Sequence, residues 1–334
     1  MSSNQKLTYG SYLQLDKLLD AQHLQSAKFG EPAHHELFFI IIHQTYELWF
    51  KQIIFELDAI IRGIVKAKRK KGVPVDILNG LRRINKIQAL LNEHLPVLET
   101  LSSADFLTFR DLLTSASGFQ SVQFRLIEIR LGLYDKRDLT EFSFYKHFSD
   151  KQQQQLLSTQ KQTSLFEAMQ QWLESLFNTA KEFFKNYQLE VEKKLEKRQA
   201  QINQNKKNSA TDIQLEQLQS MSDSFRKIFN EDDYNKQGVR LSYEAFISAL
   251  FFYNNQQQTG TGYELLQAII ENDELLATWR HRHSLMVQRI IGGKVGTGGT
   301  SGYKYLRGTV EANRIFSEYT QLSSYLISDI YVGY

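Results

Sequence analysis

The stretch Leu37–Phe50, LFFIIIHQTYELWF, is apolar on nearly every side of any helix it forms. A helix without a polar face has to be buried. This segment therefore predicts a helix at the centre of the fold, with His43 enclosed and in need of a hydrogen-bond partner. The rest of the chain extends the pattern. Only three prolines occur, at Pro32, Pro74 and Pro96. Leu, Gln, Lys and Glu dominate, and apolar residues recur at spacings of three and four, which is the helical period. The fold expected is all-α, with helices over residues 8–22, 34–68, 75–95, 103–117, 120–132, 164–200, 212–230, 241–254, 262–291 and 309–328. Breaks are expected at Lys70–Pro74, Gln201–Asp212 and Glu231–Gly238, and solvated loops at the glutamine-rich segments Gln152–Gln155 and Asn254–Gln258. No internal repeat is present.

At 334 residues and 42% apolar content, one large domain over residues 1–334 has enough material for its own core. Residues 181–207 mix Lys and Glu in alternating sign, as on a solvated helix leaving the main body. A small helical extension over about 180–240 is therefore expected within the single domain. The net charge of +3 comes from nearly balanced acids and bases, so no nucleic-acid or membrane partner is expected. The longest apolar run, Leu37–Ile42, is far shorter than a membrane span. There are no cysteines, which excludes disulfides and thiolate ligation and fits a reducing compartment. The segment MSSNQKLTYG has no apolar signal core. The expected location is the cytoplasm.

Four groups of residues stand out as chemistry. Phe39 lies one turn before His43 on the same helical face; the two suit a ligand-polarising pair, and equally a core histidine over a packing ring. Phe106, Arg110, Leu113 and Ser117 share a second face. An Arg presents a planar fork of donors suited to a carboxylate, although a snorkelling Arg gives the same pattern. Tyr9, Tyr12 and Leu13 share a third face. His281 and His283, in TWRHRHS, point about 200° apart on a helix and so cannot chelate one metal. Either alone can supply the single protein bond that haem requires. Six of the 18 glycines lie in GGKVGTGGTSG, Gly292–Gly302, where the backbone can approach a ligand closely. This loop lacks the ending of a phosphate-binding Walker loop and follows a helical pattern, against nucleotide binding.

Together the segments LTYGSYLQLDKLL (7–19), EPAHHELFFIIIHQTYELWFKQ (31–52), FRDLLTSASGFQSVQFR (109–125) and WRHRHSLMVQRIIGGKVGTGGTSG (279–302) resemble the tryptophan 2,3-dioxygenase family. They are long, in family order, and cover most of the chain. The segment between about 180 and 240 resembles animal-type members. The resemblance implies a helical haem-dioxygenase bundle that opens the indole ring of L-tryptophan with O2 to give N-formyl-L-kynurenine, the first step of tryptophan catabolism by the kynurenine pathway. It implies haem b with His283 as the axial iron ligand. His43 becomes the catalytic residue that accepts a hydrogen bond from the indole N–H, and Phe39 an aromatic wall. Arg110 pairs with the substrate carboxylate and Thr297 engages its amino-acid end. Leu113, Ser117 and Phe106 line the pocket, and Gly296 and Gly298 lie against the cofactor. Tyr9, Tyr12 and Leu13 are implied to close the pocket of a neighbouring subunit in a homotetramer. Phe106 departs from the bacterial pattern, which has Tyr there, and shifts the hold on the carboxylate towards Arg110 and Thr297. Two other classes fit parts of the sequence: a haem-based gas or ligand sensor, which needs no amino-acid clamp, and a colourless helical interaction protein. Within the enzyme class, a related indole is the competing substrate.

Overall fold

The computed structural model describes residues 6–67, 72–113, 116, 118–135, 137–142, 144–204, 209–256, 260–292 and 302–326. Fifteen α-helices and no strand occur among the described residues. The chain opens with two short helices, α1 (Tyr9–Leu13) and α2 (Leu15–Leu19), where one continuous helix is expected. Gln14 separates them in the left-handed region at φ 53°. Two long helices follow, α3 (His34–Lys66) and α4 (Val75–Leu98), packed along each other. Ahead of α3 the chain is tied down by the buried carboxylate of Glu36, which accepts from the backbone of Gln25 and Ser26 and from the Ser26 hydroxyl. Helix α4 runs through Pro96 to Leu98, past the expected stop at 95. Proline cannot donate to the carbonyl four residues earlier, and that carbonyl, of Asn92, accepts from Arg282 at 3.0 Å instead.

Helix α5 (Ser103–Arg110) gives way to a 3-10 turn at Asp111–Leu113, shorter than the expected 103–117. Helix α6 (Val122–Leu131) is buried from Arg125 onward and ends at Gly132, φ 109°, where a side chain would strike Phe166. Helix α7 (Asp150–Gln160) corrects the expectation of a loop at Gln152–Gln155. The glutamines act there as caps: Gln152 Oε1 accepts from the Ser149 backbone at 3.0 Å, and Gln153 donates to the Phe148 carbonyl at 2.9 Å. The expected helix 164–200 breaks at Ser175 into α8 (Leu165–Glu174) and α9 (Phe177–Gln204), with Trp172 wholly buried before the break.

Helices α9 and α10 (Ser209–Phe229) pack on each other, burying Ile202, Thr211 and Leu218. After the short α11 (Glu231–Asn235), helix α12 (Tyr243–Asn254) lies on α8 and α9. The 31-residue α13 (Thr261–Ile291) runs through the middle of the fold, against α4 on one side and α14 (Gly302–Ala312) on another. The expected helix 309–328 is instead the end of α14, a bend, the one-turn α15 (Ser317–Thr320) and a 3-10 turn. Buried Asp273 takes the Ile315 N–H at 2.8 Å and Arg314 Nε at 2.6 Å, which draws the chain out of helical register.

Two polar devices seat α13. The first is an amide ladder on α4: Asn85 donates to the Ala268 carbonyl at 2.8 Å, Asn272 donates to Asn85 and Gln88 at 3.0 and 3.1 Å, and Asn92 donates to the Leu275 carbonyl at 3.1 Å. The second is an ion cluster. Glu128 on α6 accepts from Arg125, from Arg280 on α13 at 2.8 Å, and from Tyr134 at 3.1 Å, while Arg280 reaches on to the Asn313 carbonyl at 2.9 Å. Burial pushes the Glu128 pKa up, but the two guanidiniums outweigh it and hold the carboxyl below its usual range. Among the described residues no helix is long and apolar enough to cross a membrane.

Removing one partner of a buried ion cluster leaves uncompensated charge, worth about 3–5 kcal/mol. Glu128→Ala is therefore expected to lower the unfolding free energy by that amount in chemical denaturation followed by circular dichroism. Because the folded-state pKa of Glu128 is depressed, its contribution is fully present at neutral pH and disappears as pH falls below the ordinary carboxylate range. Glu128→Ala should flatten that acid limb.

Candidate active site

Helices α3, α5, α6 and α13 enclose a cavity of about 270 Å3. Its sequence-predicted lining residues are Phe39, His43, Phe106, Arg110, Leu113 and His283, so segments from both ends of the chain meet in one place. His43 is held by its own helix. Its Nδ1 donates to the Phe39 carbonyl one turn back at 2.7 Å, and its ring lies 4.1 Å from that of Phe39. With the proton on Nδ1, Nε2 carries the lone pair. Burial lowers the His43 pKa, against smaller opposing contributions from the Phe39 carbonyl and the Glu47 carboxylate. The ring is a neutral acceptor at physiological pH.

His283, on α13, lines the same cavity. Burial, with His43 adding to it, pushes its pKa down to about 4. The ring stacks on Trp279, one turn earlier, at 4.9 Å and an interplanar angle of 6°. Its Nδ1 is buried with no hydrogen-bond partner among the described residues. This imidazole is uncharged, keeps a lone pair and is committed to no protein group, which is the chemistry of an axial haem ligand. His281, two residues away, is exposed, as the helical geometry predicts. Among the described residues no cluster of three or more His, Asp or Glu side chains is placed to hold a bare metal ion.

The other walls divide by polarity. Leu95, Leu98, Met286, Val287 and Ile290 are apolar, whereas Arg125, Glu128 and Arg280 join in one ion cluster; Glu47, which accepts from Gln123, also lines the cavity. Glu128 carries one negative charge against two guanidiniums, so that trio has a surplus positive charge suited to an anionic group. Arg110 is half-buried at the end of α5, and Leu113, although in a 3-10 turn, still reaches the cavity. Phe106 packs its ring 5.5 Å from Phe39.

Tyr9, Tyr12 and Leu13 do not line the cavity of their own chain; they are 76%, 71% and 40% exposed. Ser117, Gly296, Thr297 and Gly298 lie outside the described residues. Several lining residues were not anticipated: Glu47, Phe124, Arg125, Glu128, Trp279 and Arg280. A signal existed for two of them, since Glu47 and Trp279 each lie four residues from a predicted histidine on the same helical face.

A sequence profile described as tryptophan 2,3-dioxygenase matches residues 1–326. The chain is 43% identical over 344 residues to a tryptophan 2,3-dioxygenase of Dictyostelium discoideum, covering 98% of this chain and 85% of the relative. A protein of the same name from Alteromonas mediterranea is 40% identical over 96% of this chain and 92% of its own length. Tryptophan 2,3-dioxygenase B of Danio rerio is 36% identical over 96% and 82%. With a profile spanning nearly the whole sequence and relatives matched over most of their lengths, the chain belongs to the tryptophan 2,3-dioxygenase family.

Proposed function

We propose that this protein uses O2 to open the indole ring of L-tryptophan, giving N-formyl-L-kynurenine, with haem b held through His283. The carrying observation is that two neutral imidazoles, His43 and His283, line one aromatic cavity, each burdened by burial. When bound, haem supplies the iron-centred oxygen activation that cleavage of the indole C2–C3 bond requires. His283 would hold its iron, and the positive surplus of Arg125 and Arg280 over Glu128 suits its carboxylates. Gly296 and Gly298 are assigned to cofactor contact on the family resemblance alone.

The chain's own residues bind and orient the substrate. His43 Nε2 accepts the indole N–H, because its other nitrogen is already engaged with the Phe39 carbonyl. Indole N–H is a very weak acid, so His43 orients the ring and does not remove the proton. Phe39 and Phe106 form an aromatic wall in the cavity that Leu113 also lines, and Ser117 is assigned to the pocket on the family resemblance alone. Arg110 takes the carboxylate with a charge-assisted bond, and Thr297 the amino-acid end. Tyr9, Tyr12 and Leu13 are assigned to the pocket of a neighbouring subunit in a homotetramer. The exposed α3 stripe of Leu37, Ile41, Leu48 and Phe55 supplies apolar surface for that assembly. We read residues 1–334 as one domain, with α9 and α10 as its extension, and place it in the cytoplasm, where its lack of cysteine costs it nothing.

Mixing reduced, haem-loaded protein with oxygen and L-tryptophan is expected to produce the absorbance of N-formylkynurenine; a coloured protein that binds tryptophan and forms no product would overturn the reading. In His283→Ala the five-coordinate haem spectrum should be lost. If that spectrum and turnover both persist, iron is held elsewhere.

His43→Ala should lower kcat while leaving measurable turnover. Since the folded-state pKa of His43 lies below the ordinary histidine value, kcat/KM should stay level as pH falls through 6.5 and decline only beneath it. Arg110→Ala should raise KM steeply, because truncating one partner of a desolvated charge pair costs about 2–5 kcal/mol. Steady-state kinetics across pH check both, and an unchanged KM removes Arg110 from the substrate site.

A further inference from the structure

Behind the cavity wall lies a ring that never touches the cavity. Phe109 is 0% exposed and is absent from the lining, yet it meets both lining phenylalanines edge-on. Its centroid is 5.5 Å from that of Phe39 at 62°, and 5.4 Å from that of Phe106 at 89°. Phe39 and Phe106 are themselves 5.5 Å apart, so the three rings form a closed triangle. Phe39 is flanked by the His43 ring at 4.1 Å and is packed by Phe109 as well. Phe109 stands three residues after Phe106 and four before Leu113, on the flank of that stripe away from Arg110, where an apolar ring reads as ordinary core until its neighbours are known.

A wall of aromatic rings discriminates by size only if it cannot retreat. An interior packed at crystal-like density gives a ring no room to move unless its backing is trimmed. We infer that Phe109 is a positioning residue that sets the size limit of the aromatic ring admitted to the pocket, by fixing Phe39 and Phe106 from behind. The inference rests on the proposed function, since it treats those two rings as the wall against the substrate's indole. An extra methyl group in a rigid apolar slot is worth about 10- to 200-fold in kcat/KM, and that discrimination is what trimming Phe109 should erode.

The test compares haem-loaded wild type, Phe109→Leu and Phe252→Leu. Phe252 is a wholly buried ring stacked on Trp172 and outside the cavity lining, so it controls for general softening of the core. The readout is kcat/KM for 4-, 5-, 6- and 7-methyl-L-tryptophan, each divided by the value for L-tryptophan, alongside the Soret spectrum and the thermal midpoint. In Phe109→Leu at least one ratio is expected to rise by about tenfold with the Soret band unchanged. In Phe252→Leu the thermal midpoint should fall while every ratio stays within about twofold of wild type. If no ratio moves beyond about twofold in Phe109→Leu, or if Phe252→Leu moves them equally, Phe109 is packing only and the inference fails. Should Phe109→Leu not fold, Phe109→Met, whose flexible side chain fills irregular gaps but lacks the rigid ring, is put to the same measurement. A wild type that opens no tryptophan defeats the proposed function itself, which a flat set of ratios in an active enzyme does not.

Discussion

The buried carboxylate of Glu128 is the interaction on which the arrangement of the active site turns. It joins α6 to α13 through Arg280, keeps Arg125 in the cavity wall, and through Arg280 reaches the Asn313 carbonyl at the end of α14. Three elements that meet nowhere in sequence are tied together at one charged point. A cluster of this kind adds less to net stability than an apolar core of the same volume would, because each ion must first be desolvated. What it supplies here is register. Together with the amide ladder between α4 and α13, it specifies which turn of α13 faces the cavity, and hence that His283 faces it and His281 does not.

Burial acts on both histidines in the same direction, with different outcomes. At His43 it keeps the ring neutral against the pull of Glu47, and the Phe39 carbonyl selects the tautomer. At His283 no partner for Nδ1 is present among the described residues, so the ring stays neutral and uncommitted. One imidazole thereby has a fixed tautomer with its lone pair on Nε2, and the other keeps an uncommitted Nδ1. The distinction arises from a single backbone carbonyl 2.7 Å away. The stacking of Trp279 on His283 adds orientation without adding charge.

How far the site was legible in sequence depended on how local its signals are. LFFIIIHQTYELWF reveals a buried helix with a histidine inside it, and α3 is that helix. The spacing of Phe106, Arg110 and Leu113 places them together, and they share the cavity even though the helix ends at Arg110. Gln152–Gln155 misleads, because the same amide side chains that solvate a loop also cap a helix. Pro96 misleads in the other direction, since its missing donor is made good by Arg282 from a distant helix. Phe109 gives no signal at all, as a buried phenylalanine reads as core until its two edge-on neighbours are known.

By itself the sequence determined the helical class, the central apolar helix, and which histidines and arginine deserved attention. These rest on periodicity and residue chemistry within one or two turns, and the long motifs carried the family resemblance. The tertiary structure alone decided that His43 and His283 share one cavity, that Arg125, Glu128 and Arg280 form its charged side, and that Phe109 backs its aromatic wall. Those relations join residues up to 240 positions apart, from His43 to His283. They are set by how buried surfaces and ion pairs close against each other, which no local period encodes.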